Sequence, residues 1–284
     1  MSDTTGSQGT YSLTGFGGGS YTITPSKSGA VNGSITSFDA ARISQYVTGN
    51  ISFTAAQSTV ADVSGTGGVS SFDAALLARY VASLGSPTGS TGSWIFSPAN
   101  YSHASVTGSI SGEDYAALLM GETSGNWTDA GPRPTNNGSG PEVAAPTLAA
   151  AANSEVRIPI TINGGANKGI VSYEFDLEFD PAVLQPQTDP VDVAGTISRG
   201  LMAVANGSGP GLLRVVLYGP MPIDSDGVLL NLRFTAVGAP GSVSPLSWER
   251  LLFNEGEMPV VTTNGQIEIS SADAASESKQ ASVN

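Results

Sequence analysis

An α+β chain dominated by β structure is what this sequence predicts: a small helical repeat module followed by a β-sandwich. Three observations carry that expectation. The pentapeptide Ser37-Phe38-Asp39-Ala40-Ala41 returns unchanged as Ser71-Phe72-Asp73-Ala74-Ala75, and each copy runs on into a Tyr-Val pair, Tyr46-Val47 and Tyr80-Val81. From about residue 148, apolar and polar residues alternate in short runs separated by Gly, Pro, Asn or Asp turns, the pattern of half-buried strands. Between the two regions lie Pro132, Pro134, Pro141 and Pro146 with Gly and Asn among them, which reads as a linker over 129–147. That linker is short enough to be expected to hinder the first module from folding back on the second. The 284 residues suffice for two cores.

Taken in order, the N-terminal segment 1–28 alternates over 9–25 around Gly15-Phe16-Gly17-Gly18-Gly19, with Tyr11 and Leu13 on one side and Tyr21 and Ile23 on the other, and predicts a β-hairpin. An isolated hairpin is marginal in water, so this one is expected to dock on another surface. The repeat module spans 29–128. In its second copy Phe72, Leu76, Leu77, Tyr80 and Val81 fall at helical spacing behind Ser71 as N-cap, a stripe that reads first as core packing. A third, divergent copy is expected from Val106-Thr107-Gly108-Ser109-Ile110, which echoes Val31-Asn32-Gly33-Ser34-Ile35, through Asp114, Leu118 and Leu119 to Trp127. The aromatics around it, Trp94, Phe96, Tyr101 and Tyr115, suit either a small core or a sugar-stacking surface. Strands follow over 148–269: Val156, Ile158, Ile160 and Ile162 alternate with polar neighbours, as do Tyr173, Phe175, Leu177 and Phe179. The tail, 270–284, is polar and has too few apolar groups to order itself.

Composition narrows function. A formal charge of −13, with three lysines (Lys27, Lys168, Lys279), leaves no electrostatic footprint for nucleic acid or anionic lipid. No run approaches the length of a membrane span, and no signal-peptide pattern is present, so an exported chain would have lost its leader. With no cysteine, disulfides, thiol catalysis and cysteine-ligated metals are excluded. His103, the one histidine, stands beside Ser102 and Ser105 without a nucleophile elbow around it. The carboxylate pairs Asp176 with Glu178 and Asp224 with Asp226 read as solvated charge on a sheet face and in a turn rather than as glycosidase acids. Gly17-Gly18-Gly19 lacks the Lys-Ser/Thr of a phosphate loop. The chain is therefore expected not to be an enzyme.

Counting from Asp62, the residues Ser64, Thr66, Gly68, Ser70 and Asp73 occupy the ligand positions of a calcium loop. With Ala61-Asp62-Val63-Ser64-Gly65-Thr66-Gly67-Gly68-Val69 before the helix and Leu76-Leu77-Ala78-Arg79-Tyr80 within it, this unit resembles a dockerin repeat. Dockerins are paired calcium-loop and helix units that bind cohesin domains. The resemblance makes Asp62, Ser64, Thr66, Gly68 and Asp73 a weak calcium candidate, since only two carboxylates are on offer. The first loop, 30–39, is two residues short, lacks an opening Asp and is expected to hold no ion. Residues 148–269 resemble a cohesin domain, through Glu155-Val156-Arg157-Ile158-Pro159-Ile160, Lys168-Gly169-Ile170, Phe175-Asp176-Leu177-Glu178-Phe179-Asp180-Pro181-Ala182-Val183-Leu184, Asp226–Phe234 and Asn264–Ile269. The family implies a nine-stranded jelly-roll sandwich that binds a dockerin on one flat sheet face. Gly9–Leu13 and Gly19–Pro25 resemble the final two strands of carboxypeptidase-regulatory-like sandwiches.

What these resemblances imply is an extracellular or cell-surface assembly protein. Its partners are expected to be copies of itself joined head to tail, with other cohesin- or dockerin-bearing proteins, or glycans, as the alternatives. The expected contact residues are Ser37, Phe38, Ser44 and Gln45 on the first repeat helix and Ser71, Phe72, Ala78 and Arg79 on the second, with Tyr11, Leu13, Tyr21 and Ile23 of the hairpin. Asn32, Asn50, Asn100, Asn126, Asn137 and Asn206 each open an Asn-X-Ser/Thr triplet and are glycosylation candidates.

Overall fold

The computed structural model describes residues 1–129, 139–256 and 258–270, and the chain divides into two units, 1–29 with 93–119 and 30–92 with the remainder. In the first unit β1 (Gly19–Ile23) pairs antiparallel with β3 (Tyr101–Val106), and β2 (Trp94–Ser97) with β4 (Ala116–Leu119). The expected hairpin within 9–25 does not form: β1 takes a partner some eighty positions away. The reason is the weakness of an isolated two-stranded ribbon, against the cluster gained by pairing with β3. Tyr11, Tyr101 and Phe96 surround Tyr115 with centroids 6.3, 5.1 and 6.5 Å from its ring, and the Tyr115 hydroxyl donates to the Ile23 carbonyl. The expected third helical repeat is also absent. Val106 ends a strand, 116–119 is another, and Gly112 between them sits at φ +80, outside any helix.

The second unit opens with α1 (Ser37–Val47), α2 (Ala55–Ala61) and α3 (Ser71–Val81). Both repeat helices begin in a capping box: Asp39 returns to the Thr36 N–H and Asp73 to the Ser70 N–H. Their apolar faces meet each other through Ala40, Ala41, Ile43, Leu76, Leu77 and Ala78, all buried.

Two sheets then form a sandwich. One has the order β10-β11-β8-β13-β15-β6: Met202–Asn206, Leu212–Ile223, Ile170–Glu178, Val243–Phe253, Gly265–Ser270 and Thr147–Ala151. The other runs β14-β5-β7-β12-β9: Val261–Thr263, Glu142–Ala144, Glu155–Asn163, Gly227–Ala236 and Leu184–Asp192. Stretches 142–151 and 261–270 each cross from one sheet to the other, so these eleven strands come from nine runs of chain, as expected for the jelly roll. The core lies between the sheets, where Tyr173, Phe175, Leu177 and Phe253 face Ile158, Ile160, Leu232 and Phe234.

Two readings of the linker region meet different outcomes. Residues 130–138, with Pro132, Pro134 and Asn137, lie outside the described residues, as does the tail from 271. The expectation that the repeat module is held off the sandwich does not hold: α1 packs on β8 and β11 of the same chain.

Candidate functional site

The contact between α1 and the sheet explains an anomaly in β8. Its residues 170–177 are all buried, although a strand with one face in a core should alternate. Tyr173, Phe175 and Leu177 point into the sandwich, and Ser172, Glu174 and Asp176 stand on the outer face beneath the repeat module. On β11 the outward Val216 and Tyr218 are buried as well. Asp176, read from sequence as solvated, is therefore covered, while Glu178 at the strand end is exposed as expected.

The polar groups in this contact are matched to helix ends. The Glu174 carboxylate, 1% exposed, accepts the Ser37 N–H at the start of α1 (2.7 Å) and pairs through its other oxygen with Arg250 on β13. A negative group at a helix N-terminus meets unsatisfied N–H donors and the positive end of the macrodipole. At the C-terminal end of α3, the Asn206 amide of β10 donates to the carbonyls of Ala82 and Ser83 at 2.9 and 3.1 Å. Arg214 of β11 reaches the Ser83 hydroxyl while held by Asp176 in a two-pronged pair of 2.7 and 2.6 Å. Acid sits at one helix start and base at the other helix end, the arrangement the dipoles favour. A third anchor follows α1, where Asn50 donates to the Pro220 carbonyl.

The expected contact residues separate accordingly. Ser37 is fully buried and Phe38 half-buried, whereas Ser71 and Phe72 on the second helix are exposed, Phe72 at 56%. Ser44 and Gln45 are half-buried; the Ser44 hydroxyl donates back to Ala40. Ala78 is buried inside the module, and Arg79 closes the loop after α3 by donating to the Gly85 and Pro87 carbonyls. Tyr11, Leu13, Tyr21 and Ile23 are half-buried within the first unit. Sequence reasoning missed Glu174, Arg214, Arg250 and Asn206 as contact residues. The signal available was a strand whose outward positions carry charges, with an Arg on each neighbouring strand, which is weak without knowing what covers it.

The loops show how the module folds. In the second loop Asp62 Oδ1 accepts from the Ser64 hydroxyl and Thr66 N–H, and Oδ2 from Gly67 N–H. The Ser64 and Thr66 hydroxyls lie 3.0 Å apart, with the Gly68 carbonyl 3.5 Å beyond. Asp73 is fully buried, and both its oxygens are taken, by the N–H groups of Ser64 and Ser70 and the Ser70 hydroxyl. The oxygens of Asp62, Ser64, Thr66 and Gly68 are thus gathered where a cation would sit, yet one carboxylate faces them, and hydrogen bonds close the loop by themselves. In the first loop both Asp39 oxygens are engaged, by the Thr36 N–H and by the N–H and hydroxyl of Thr123. Burial pushes the Asp39 carboxyl up to about 8, against the downward pull of the Thr36 and Thr123 N–H groups. Among the described residues no three His, Cys, Asp or Glu converge as a metal cluster.

The remaining candidates resolve into structural pairings. His103 faces Glu113, and Ser102 bonds to Thr22 and Asn100 instead of the ring. Asp226 closes a loop by accepting the N–H groups of Gly164, Gly165 and Ala166, which hold its carboxyl below the usual range. Of the Asn-X-Ser/Thr triplets, Asn32, Asn50 and Asn206 use their amides as donors, to Thr128, Pro220 and the end of α3. Asn100 is exposed with its amide oxygen on the Ser102 hydroxyl, Asn126 is half-buried, and Asn137 lies outside the described residues.

No curated protein matches the sequence. The sixth cohesin of scaffoldin B from Acetivibrio cellulolyticus, solved in complex with a Cel5 dockerin mutant, is 24% identical with a TM-score of 0.40, covering 46% of this chain and 100% of that one. A non-cellulosomal cohesin from Archaeoglobus fulgidus is 21% identical at 0.41, covering 49% and 98%. A type I cohesin–dockerin complex from Clostridium thermocellum gives 17% and 0.39, covering 46% and 99%. Residues 31–82 match the dockerin type I domain model and residues 141–269 the cohesin domain model, so the chain carries a dockerin type I domain followed by a cohesin domain, both of them non-catalytic interaction modules.

Proposed function

We propose that the protein is an extracellular structural subunit in which the dockerin module of one copy is held by the cohesin sheet of the next, giving head-to-tail filaments. The observation behind this reading is the fit of helix ends to the sheet: Glu174 at the start of α1, Asn206 and Arg214 at the end of α3. A chain carrying both halves of such a contact propagates if each half engages a different neighbour, and the contact is heterologous, so it closes into a ring or runs on as a filament. Nothing in it requires catalysis, and the charge of −13 keeps nucleic acid and anionic surfaces away. Calcium at Asp62, Ser64, Thr66 and Gly68, with Asp73 behind them, would be weakly held, because affinity follows the number of charged ligands.

Light scattering and negative-stain microscopy of the pure chain over a range of concentrations test this. Filaments growing with concentration are expected. Monomers alone at high concentration would contradict self-assembly and favour an adaptor that joins other proteins' dockerins and cohesins.

A further inference from the structure

The face that would receive a neighbour's dockerin module is filled in this chain by its own. Ser172, Glu174, Asp176, Val216 and Tyr218 on that face are all nine-tenths buried or more, and the polar ones among them that carry charge are already paired. Resting on the assembly reading above, we propose that the free chain is closed: its α1–α3 module occupies its own sheet, and the partner this face admits is a second copy that exchanges the same contact.

Two arguments support this. The first is charge complementarity within one chain. Glu174 lies against the positive end of α1 and Arg214 against the negative end of α3, while Arg250 and Asp176 balance the two charges from the sheet side. A foreign helix pair would have to reproduce both ends at the same spacing, and a copy of this chain does so by identity. The second is the tether. Ten peptide steps from Asp129 to Ser139 reach at most ~36 Å, and a short tether holds the module near its own sheet at an effective concentration of order millimolar. A neighbour's module competes only when chains approach that concentration. Exchange then leaves every bond in place with its owner changed, as in domain swapping.

Absence of cysteine makes the test direct. Asn50 and Met221 are both exposed, and the Asn50 amide lies 3.7 Å from the Met221 sulfur across this contact. The full-length Asn50→Cys/Met221→Cys chain is treated with a short bis-maleimide at dilutions from nanomolar to high micromolar and run on a denaturing gel. A fast-migrating, internally linked monomer at every dilute concentration, giving way to a ladder as assembly sets in, is the expected result. Adding Glu174→Lys should lower the internal product several-fold. A ladder from the most dilute sample onward, with no internal product, would overturn the closed chain while leaving assembly intact. Internal product with no assembly at any concentration would support closure and count against the filament reading. Failure to link at all would overturn closure.

Discussion

Asp39 and Asp73 occupy matching places in the two repeats and are both fully buried, yet their hydrogen-bond partners differ. Both cap their helices, but Asp39 also takes two donors from Thr123, a residue brought back from far along the chain. Its carboxyl is raised from 3.8 to about 8 in the folded protein, so between those values the native state binds the proton more tightly than the unfolded chain does. Stability should therefore fall as pH rises from about 4 to about 8, with the favourable contribution complete below 4. Denaturant unfolding at pH 5 and pH 9 measures the slope, and Asp39→Asn should flatten it; an unchanged slope in that variant would show that Asp39 is not its source. The two helix starts were legible in the sequence from the repeated pentapeptide, although the cap of the second is Ser70 and not Ser71 as expected. The role of Thr123 was not legible, since it depends on a segment expected to be a third helix. Asp176 was misread, and Glu174 passed over, for a related reason. Alternation says which side of a strand faces away from its own core, and is silent about what lies on that side.

Elements differ in how far local rules determine them. The two repeat helices and the strands β7, β8, β11, β12 and β15 follow from periodicity and turn residues and form where expected, whereas β5, Glu142–Ala144, lies inside the stretch read as a linker. The N-terminal pairing of β1 with β3 and the strand β4 follow from competition between distant segments, which periodicity cannot rank. At this scale the loops give two tests. Since hydrogen bonds close the second loop by themselves, chelator should move the melting temperature by less than about 3 °C, corresponding to under ~1 kcal/mol for a chain of this size. A large drop in EDTA would mean that Asp62 and its neighbours hold a structural ion. The second test is Gly89, at φ +60 beneath the Ser90 N–H bond to the Val63 carbonyl. A Cβ there would stand 2.2 Å from that carbonyl oxygen, so Gly89→Ala should cost the repeat module roughly 1–3 kcal/mol by backbone displacement and left-handed strain. The sandwich should melt unchanged in the same variant, which calorimetry can separate if the two transitions are distinct.

For the whole molecule, the presence of a dockerin module and a cohesin sandwich could be read from motif residues, because loops, capping positions and strand runs are written locally. Their contact could not, because its groups are spread over α1, α3, β8, β10, β11 and β13, and the tether suggested separation where the structure has packing. That contact carries the account. Glu174→Lys replaces the acceptor of the Ser37 N–H with a cation beside Arg250 and the positive end of α1, on the outer face of a sheet whose core side it leaves alone. Losing one member of a buried, charge-matched contact is worth about 3–5 kcal/mol, so assembly should weaken by roughly 100-fold or more. Negative-stain microscopy and light scattering of the wild-type and Glu174→Lys chains, side by side across concentration, measure this most directly. The account predicts filaments from the wild-type chain and none from Glu174→Lys at the same concentrations, with the sandwich still folded by calorimetry. Filaments of equal number and length from a folded Glu174→Lys chain would contradict it.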